Sequence, residues 1–124
     1  MKNLLLVLLL TLLGNTTLHA YDVYIDGIYY NLLGDEATVT YDGNYSYFGS
    51  VVIPSTITYN GKTYLVTRIG GKAFYGCCYL SAVTIPNSVT SIDYFAFQYC
   101  SGLTSVTIPS SVIGIGERAF ADCI

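Results

Sequence analysis

Between Leu80 and Cys123 apolar and polar residues alternate in two matching stretches, "AVTIP" from Ala82 and "SVTIP" from Ser105. A period of two predicts a strand with Val83 and Ile85 on one face and Ala82 and Thr84 on the other. Proline closes each stretch because it brings no N–H to a ladder. Downstream of each proline, Ser-Val-x-x-Ile turns the chain into a second short extended piece. Ala96, Phe97 and Cys100 then fall at i, i+1 and i+4, which predicts one helical or 3-10 turn.

These pieces recur together. "AFYGC", "AFQYC" and "AFADC" begin at Ala73, Ala96 and Ala119, at an interval of 23 residues. At that interval Leu80 matches Leu103, Val83 matches Val106, Ile85 matches Ile108, and Pro86, Ser88, Val89 and Ile92 match Pro109, Ser111, Val112 and Ile115. A looser copy of the first half runs from Val51 to Thr58, and a copy of the second half from Arg68 to Cys77. An insert separates those two: Pro54 to Ala73 is 19 residues, whereas Pro86 to Ala96 is 10. Units this short cannot bury their own apolar face, so they stack into a solenoid in which each recurring residue forms a column. The fold expected is mainly β: about three coils of 23 residues, each with a short turn, under an N-terminal β-hairpin cap.

The unit "LTSVTIPSSV…AF..C" resembles the BspA-type leucine-rich repeat of bacterial and some protist surface proteins, over residues 51–124. "IDGIYYNLL" is similar to the lead-in that often precedes such repeats. The resemblance implies a right-handed leucine-rich-repeat-like solenoid, export, and a role in adhesion or protein binding. Asp93 stands where glycine is usual, Ile113-Gly114 replaces the usual Thr-Ser, and Cys78-Tyr79 holds the places of Ser101-Gly102. These are mostly surface or turn positions.

Residues 21–50 are expected to form the cap and 51–124 the solenoid. Nine of the 13 tyrosines lie within 21–64. Turn pairs Asp26-Gly27, Asp42-Gly43 and Asn60-Gly61 recur there, and Asn60-Gly61 between "TITY" and "KTYLV" signals a type I′ hairpin. Tyrosine suits half-exposed strands; the competing reading is a tyrosine-rich binding patch. At the other end, the unit's next leucine would fall beyond Ile124. An uncapped final coil would expose an open edge and invite edge-to-edge self-association, as in a piece of a longer protein.

Residues 1–20 have the layout of a secretory signal peptide: Lys2, an apolar run from Leu4 to Leu13, then "GNTTLHA" ending in Ala20. The run is too short to cross a bilayer, which takes about 20 apolar residues. The alternative is a retained N-terminal anchor, and Leu18 is a less usual residue three places before the cut. The expected location is secreted or cell-surface, with no membrane insertion once the leader is gone.

The chain is 52% hydrophobic and 10% charged, with a net charge of -3. That balance argues against disorder, and with no basic patch it gives no reason to expect nucleic acid as a partner. Removing the leader takes Lys2 and His19 with it, so four basic side chains face eight acidic ones and no histidine remains. This excludes Ser-His-Asp and Cys-His nucleophile systems and His-based zinc sites. No Cys-x-x-Cys or glycine-rich phosphate loop occurs. Asp93 and Glu117 lie on successive coils, but thin coils form no deep cleft for a two-carboxylate hydrolase. Catalytic residues, metal ligands and cofactors are therefore all expected to be absent. Cys77, Cys100 and Cys123 share one column and read as buried thiols. Cys78 lies off it and reads as exposed. Asn44-Tyr45-Ser46 matches a glycosylation sequon, which matters only in a eukaryotic secretory pathway.

The function expected is therefore binding of a macromolecule, a protein first of all, through the outward strand residues Ala82, Thr84, Ser105 and Thr107. Small, mildly polar side chains give weak single contacts that add over many coils. The alternative is a spacer or stalk that displays or anchors another domain of a longer protein.

Overall fold

The computed structural model describes residues 21–124. The leader expected at 1–20 lies outside the described residues. The chain opens with an antiparallel meander of β1 (Val23–Ile25), β2 (Ile28–Leu33) and β3 (Glu36–Thr40). The β1–β2 turn uses Asp26 and Gly27 with φ of 48° and 88°. Both values are positive, as a type I′ turn requires. Strand β4 (Gly49–Val52) follows, then β5 (Thr56–Tyr59) and β6 (Lys62–Ile69). The β5–β6 pair is the expected Asn60-Gly61 hairpin: Tyr59 faces Lys62, and φ is 52° and 78° at the two turn residues. The insert between Pro54 and Ala73 is thus largely this hairpin.

The remaining strands are β7 (Leu80–Thr84), β8 (Ser91–Ile92), β9 (Ser105–Thr107) and β10 (Gly114–Ile115). They stack in parallel. One sheet has the order β4-β7-β9. The other runs β1-β2-β3-β6-β8-β10, with β5 also paired to β6. Register follows the sequence interval: Val83 faces Val106 and Thr84 faces Thr107 in the smaller sheet, and Ile92 faces Ile115 in the larger. Parallel stacking at the sequence interval is the arrangement expected of a solenoid. The meander joins it through parallel pairing of β3 with β6.

On the third side of each coil the expected helical or 3-10 turn takes the form of isolated i→i−3 turns, and no helix occurs among the described residues. Alternate amides there point along the stack. Phe74 N–H donates to Ala96 O at 2.7 Å, Phe97 N–H to Ala119 O at 2.7 Å, and Tyr99 N–H to Ala121 O at 3.0 Å. The amides between them close i→i−3 turns, as Gln98 N–H does on Phe95 O and Cys100 N–H on Phe97 O. A helix would turn every amide onto its own coil and forfeit the inter-coil bonds. The alternation instead uses left-handed residues at Lys72, Phe95 and Arg118, and again at Gly76, Tyr99 and Asp122. A non-glycine residue in that region costs about 1–2 kcal/mol, which the ladder of inter-coil bonds offsets.

The core consists of columns. Phe74 and Phe97 stack with ring centroids 4.8 Å apart, and Phe97 and Phe120 with centroids 5.0 Å apart, both pairs with nearly parallel ring planes. Tyr47 extends this column from the loop between β3 and β4, its ring 4.5 Å from that of Phe74. Its hydroxyl donates to Thr40 O at 2.6 Å and accepts from Tyr29 N–H at 3.0 Å. Tyr30 and Tyr47 are buried in the same core as Phe74 and Phe97, so part of the tyrosine enrichment is structural.

The cysteine column is a chain of thiol–carbonyl contacts. Cys100 Sγ lies 2.9 Å from Phe74 O, and Cys123 Sγ 3.0 Å from Phe97 O. All four cysteines are free; Cys77 and Cys100 are buried, Cys123 is half-buried and Cys78 is exposed. Iodoacetamide should therefore modify Cys78 in the native protein, and Cys77 and Cys100 only after denaturation, as mass spectrometry of the labelled peptides would show. Burial pushes the Cys100 thiol up to about 12 and raises those of Cys77 and Cys123. Such thiols keep their protons longer folded than unfolded. The unfolded chain loses protons first as pH rises through about 8.5, and stability falls from there until the native thiols ionise. Within that window each fully shifted thiol contributes a slope of about 1.4 kcal/mol per pH unit. The expected result is a Tm that drops between about pH 8.5 and 10, below the unfolded tyrosine range, and a flatter profile for Cys100→Ala.

Candidate functional site

Strands β4, β7 and β9 present one continuous outer face. Parallel pairing puts Ser50, Ala82 and Ser105 in one row and Val52, Thr84 and Thr107 in the next. Neighbouring members of a row are about 4.8 Å apart, the separation of paired strands. Thr84, Ser105 and Thr107 are exposed and Ala82 is half-buried, while Val83 and Ile85 turn into the core. All four residues singled out from the alternation therefore lie together on one sheet. Between them, with Asn87 and Pro109, runs an open hollow of about 330 Å³.

Two members of this face were missed by the sequence reasoning: Ser50 and Val52. The looser copy Val51–Thr58 carried the signal, since Val51 aligns with Val83 and Val52 with Thr84. Ser50 faces Ala82 at the same offset that sets Val51 beside Val83 and Val52 beside Thr84, one residue ahead of that copy; the register shift falls before it, at Gly49. The face carries no charged side chain in either row. Its chemistry is hydroxyl groups, small apolar surface and the exposed Val52 side chain, which suits broad contact with a macromolecule.

At the N-terminal border of the face the surface changes character. Phe48 and Val52 are 74% and 65% exposed, and with Tyr24, Asp26 and Ile28 they line an open hollow of about 460 Å³. Exposed aromatic rings also continue on the turn side, where Tyr75 contacts both Tyr45 and Tyr99 and the Lys72 ammonium lies 5.6 Å from the Tyr75 ring. The described tyrosines therefore divide between core and surface. Among the described residues no group of histidine, cysteine and acidic side chains is placed to hold a metal ion. No helix there is long and apolar enough to cross a membrane.

Comparison with known proteins gives one answer. A model described as the BspA type leucine rich repeat region (6 copies) matches residues 67–124. A crystal structure of a leucine-rich repeat protein from Bacteroides ovatus is similar at 36% identity and a TM-score of 0.73, over 83% of this chain and 27% of that one. A leucine rich cell surface protein from Faecalibacterium prausnitzii gives 34% identity and a TM-score of 0.69, over 89% of this chain and 29% of the other. The chain thus spans less than a third of the length of either relative. For a leucine-rich repeat protein from Bacteroides capillosus the values are 35% and 0.68, over 79% of this chain and 72% of that protein. No curated protein matches the chain. With the repeat at its interval of 23, the stacked columns and a relative of this identity matched over most of its length, the chain belongs to the BspA-type leucine-rich repeat family.

Proposed function

We propose that this is a non-enzymatic, exported surface protein that binds other proteins, in adhesion, through the outer face of β4, β7 and β9. The observation that carries the reading is the in-register, uncharged pair of rows on that face. Such a surface has little desolvation to overcome and repeats its contacts from coil to coil, so avidity supplies the strength. Family membership and the cell-surface relative support an extracellular setting.

The test is capture of immobilised extracellular-matrix proteins by the chain and by its Thr84→Arg/Thr107→Arg variant. The two arginines place bulk and charge in the middle of one row without touching the core. Capture should fall by at least about tenfold, since contacts in the centre of a patch dominate its binding energy. Unchanged capture by the variant would clear this face of any role. The second reading, a spacer that displays another domain, is favoured by the near-identical hydrogen bonding of successive coils. It predicts no capture by either protein.

A further inference from the structure

The two sheets do not begin at the same level. In the larger sheet the rung ahead of β6 is filled, because β3 pairs with it in parallel. In the smaller sheet β4 pairs with β7 on one side, and no described strand pairs with its other side. The main-chain groups of that side have a defined direction. Gly49 and Ile53 donate their N–H groups to Tyr79 O and Thr84 O across the β4–β7 pair. Ser50 and Val52 alternate with them, so their N–H and C=O groups face away from β7.

Among the described residues, what they face is open space. The 460 Å³ hollow is lined by Ser50, Val51 and Val52, and a second of about 400 Å³ by Val52, Pro54 and Thr56; the two share Asp26, Ile28 and Val52. Together they form a trough along the free edge of β4, walled on the far side by the β1–β2 turn. Its rim carries exposed apolar side chains, Tyr24, Phe48 and Val52. Among the described residues its lining contains one charged side chain, Asp26, and no cation.

We propose that this trough binds an extended, lysine- or arginine-bearing polypeptide segment, which adds to the smaller sheet as the rung ahead of β4. A strand edge offers donors and acceptors at ladder spacing, and only another polypeptide backbone matches them. Alternate side chains of the guest meet Ile28 on one face of the trough and Phe48 and Tyr24 at its rim. A basic side chain meets Asp26. The added strand also widens the outer face by one row, so the proposal deepens the protein-binding reading and rests on it.

The probe is a fluorescently labelled hexapeptide alternating lysine with valine or threonine, capped at both ends, together with a copy methylated on alternate main-chain nitrogens. The full chain is titrated with each, and amide exchange at Ser50 and Val52 is followed by NMR. The unmodified peptide should bind and slow exchange at those two amides. The methylated copy should bind at least about tenfold more weakly, the equivalent of one or two net main-chain hydrogen bonds. Val52→Pro removes a donor facing the trough and leaves the bonds to β7 in place, so it should weaken binding similarly with little change in Tm. Asp26→Asn should abolish most of the salt dependence while preserving the fold. Peptide binding is read without matrix protein and matrix capture without peptide, which separates failure of the trough from failure of the outer face. Equal binding of both peptides, or unprotected amides at Ser50 and Val52, would overturn the proposal. So would protection that appears without peptide and grows with protein concentration, which would make a second copy the occupant.

Discussion

Phe97→Ala should destabilise the fold by about 3–5 kcal/mol, the range for removing a fully buried phenylalanine. Phe97 is completely buried and lies in the middle of the column, stacked on Phe74 and on Phe120. Its removal deletes two ring stacks together and opens a cavity whose walls cannot collapse. The amide of Phe97 is bonded to the next coil, and Cys123 Sγ reaches back to its carbonyl, so the backbone is held in place around the hole. Native domains are stable by about 5–15 kcal/mol, so this single change removes a large share of the total. Urea unfolding of the two proteins gives the number. Phe120→Ala provides the contrast: Phe120 is half-buried and stacks on one ring, so its loss should be clearly smaller. Equal effects at the two positions would mean that the column does not carry the fold.

Gly102→Ala should lower stability by about 1–3 kcal/mol, the usual range for forced overpacking. A β-carbon at Gly102 would lie 2.3 Å from Cys78 O and 3.3 Å from Leu80 O, both backbone atoms of the preceding coil. No side chain can swing away to relieve that contact, so the two coils must separate. Gly114 is the control: a β-carbon there meets nothing within 4 Å, and Gly114→Ala should be neutral to within about 0.5 kcal/mol. Thermal unfolding of the pair would show whether the spacing between coils sets the penalty. A neutral Gly102→Ala would place the third coil farther from the second than the hydrogen bonds require.

Much of this architecture was legible because a solenoid writes its contacts at a fixed interval. Val83 and Val106, or Phe74 and Phe97, are identical residues that touch their own copies, so the repeat is itself a contact map. The Asn60-Gly61 hairpin was legible because its turn needs positive φ at both residues. The turn side was not. Spacing at i, i+1 and i+4 fits a helical turn as well as two consecutive β-turns, and the deciding factor is hydrogen bonding to another coil. The strand-edge trough was hidden for a related reason. It arises because β3 joins the larger sheet and leaves the smaller one a rung short, a pairing between segments that share no repeat. Tyr47 extends the aromatic column, yet it lies off the interval and carries a hydroxyl whose partners, the Thr40 carbonyl and the Tyr29 amide, lie outside the repeat. Of the outer face, the four residues on β7 and β9 followed directly from alternation, whereas Ser50 and Val52 lie on β4, which the hairpin insert displaces from the interval of 23.

The decisive observation is the set of ring-to-ring nuclear Overhauser effects among the phenylalanines of the native protein. In-register stacking predicts strong contacts from Phe97 to both Phe74 and Phe120, with none between Phe74 and Phe120. Contacts from any of these rings to partners outside the column, with Phe97 touching neither neighbour, would contradict it.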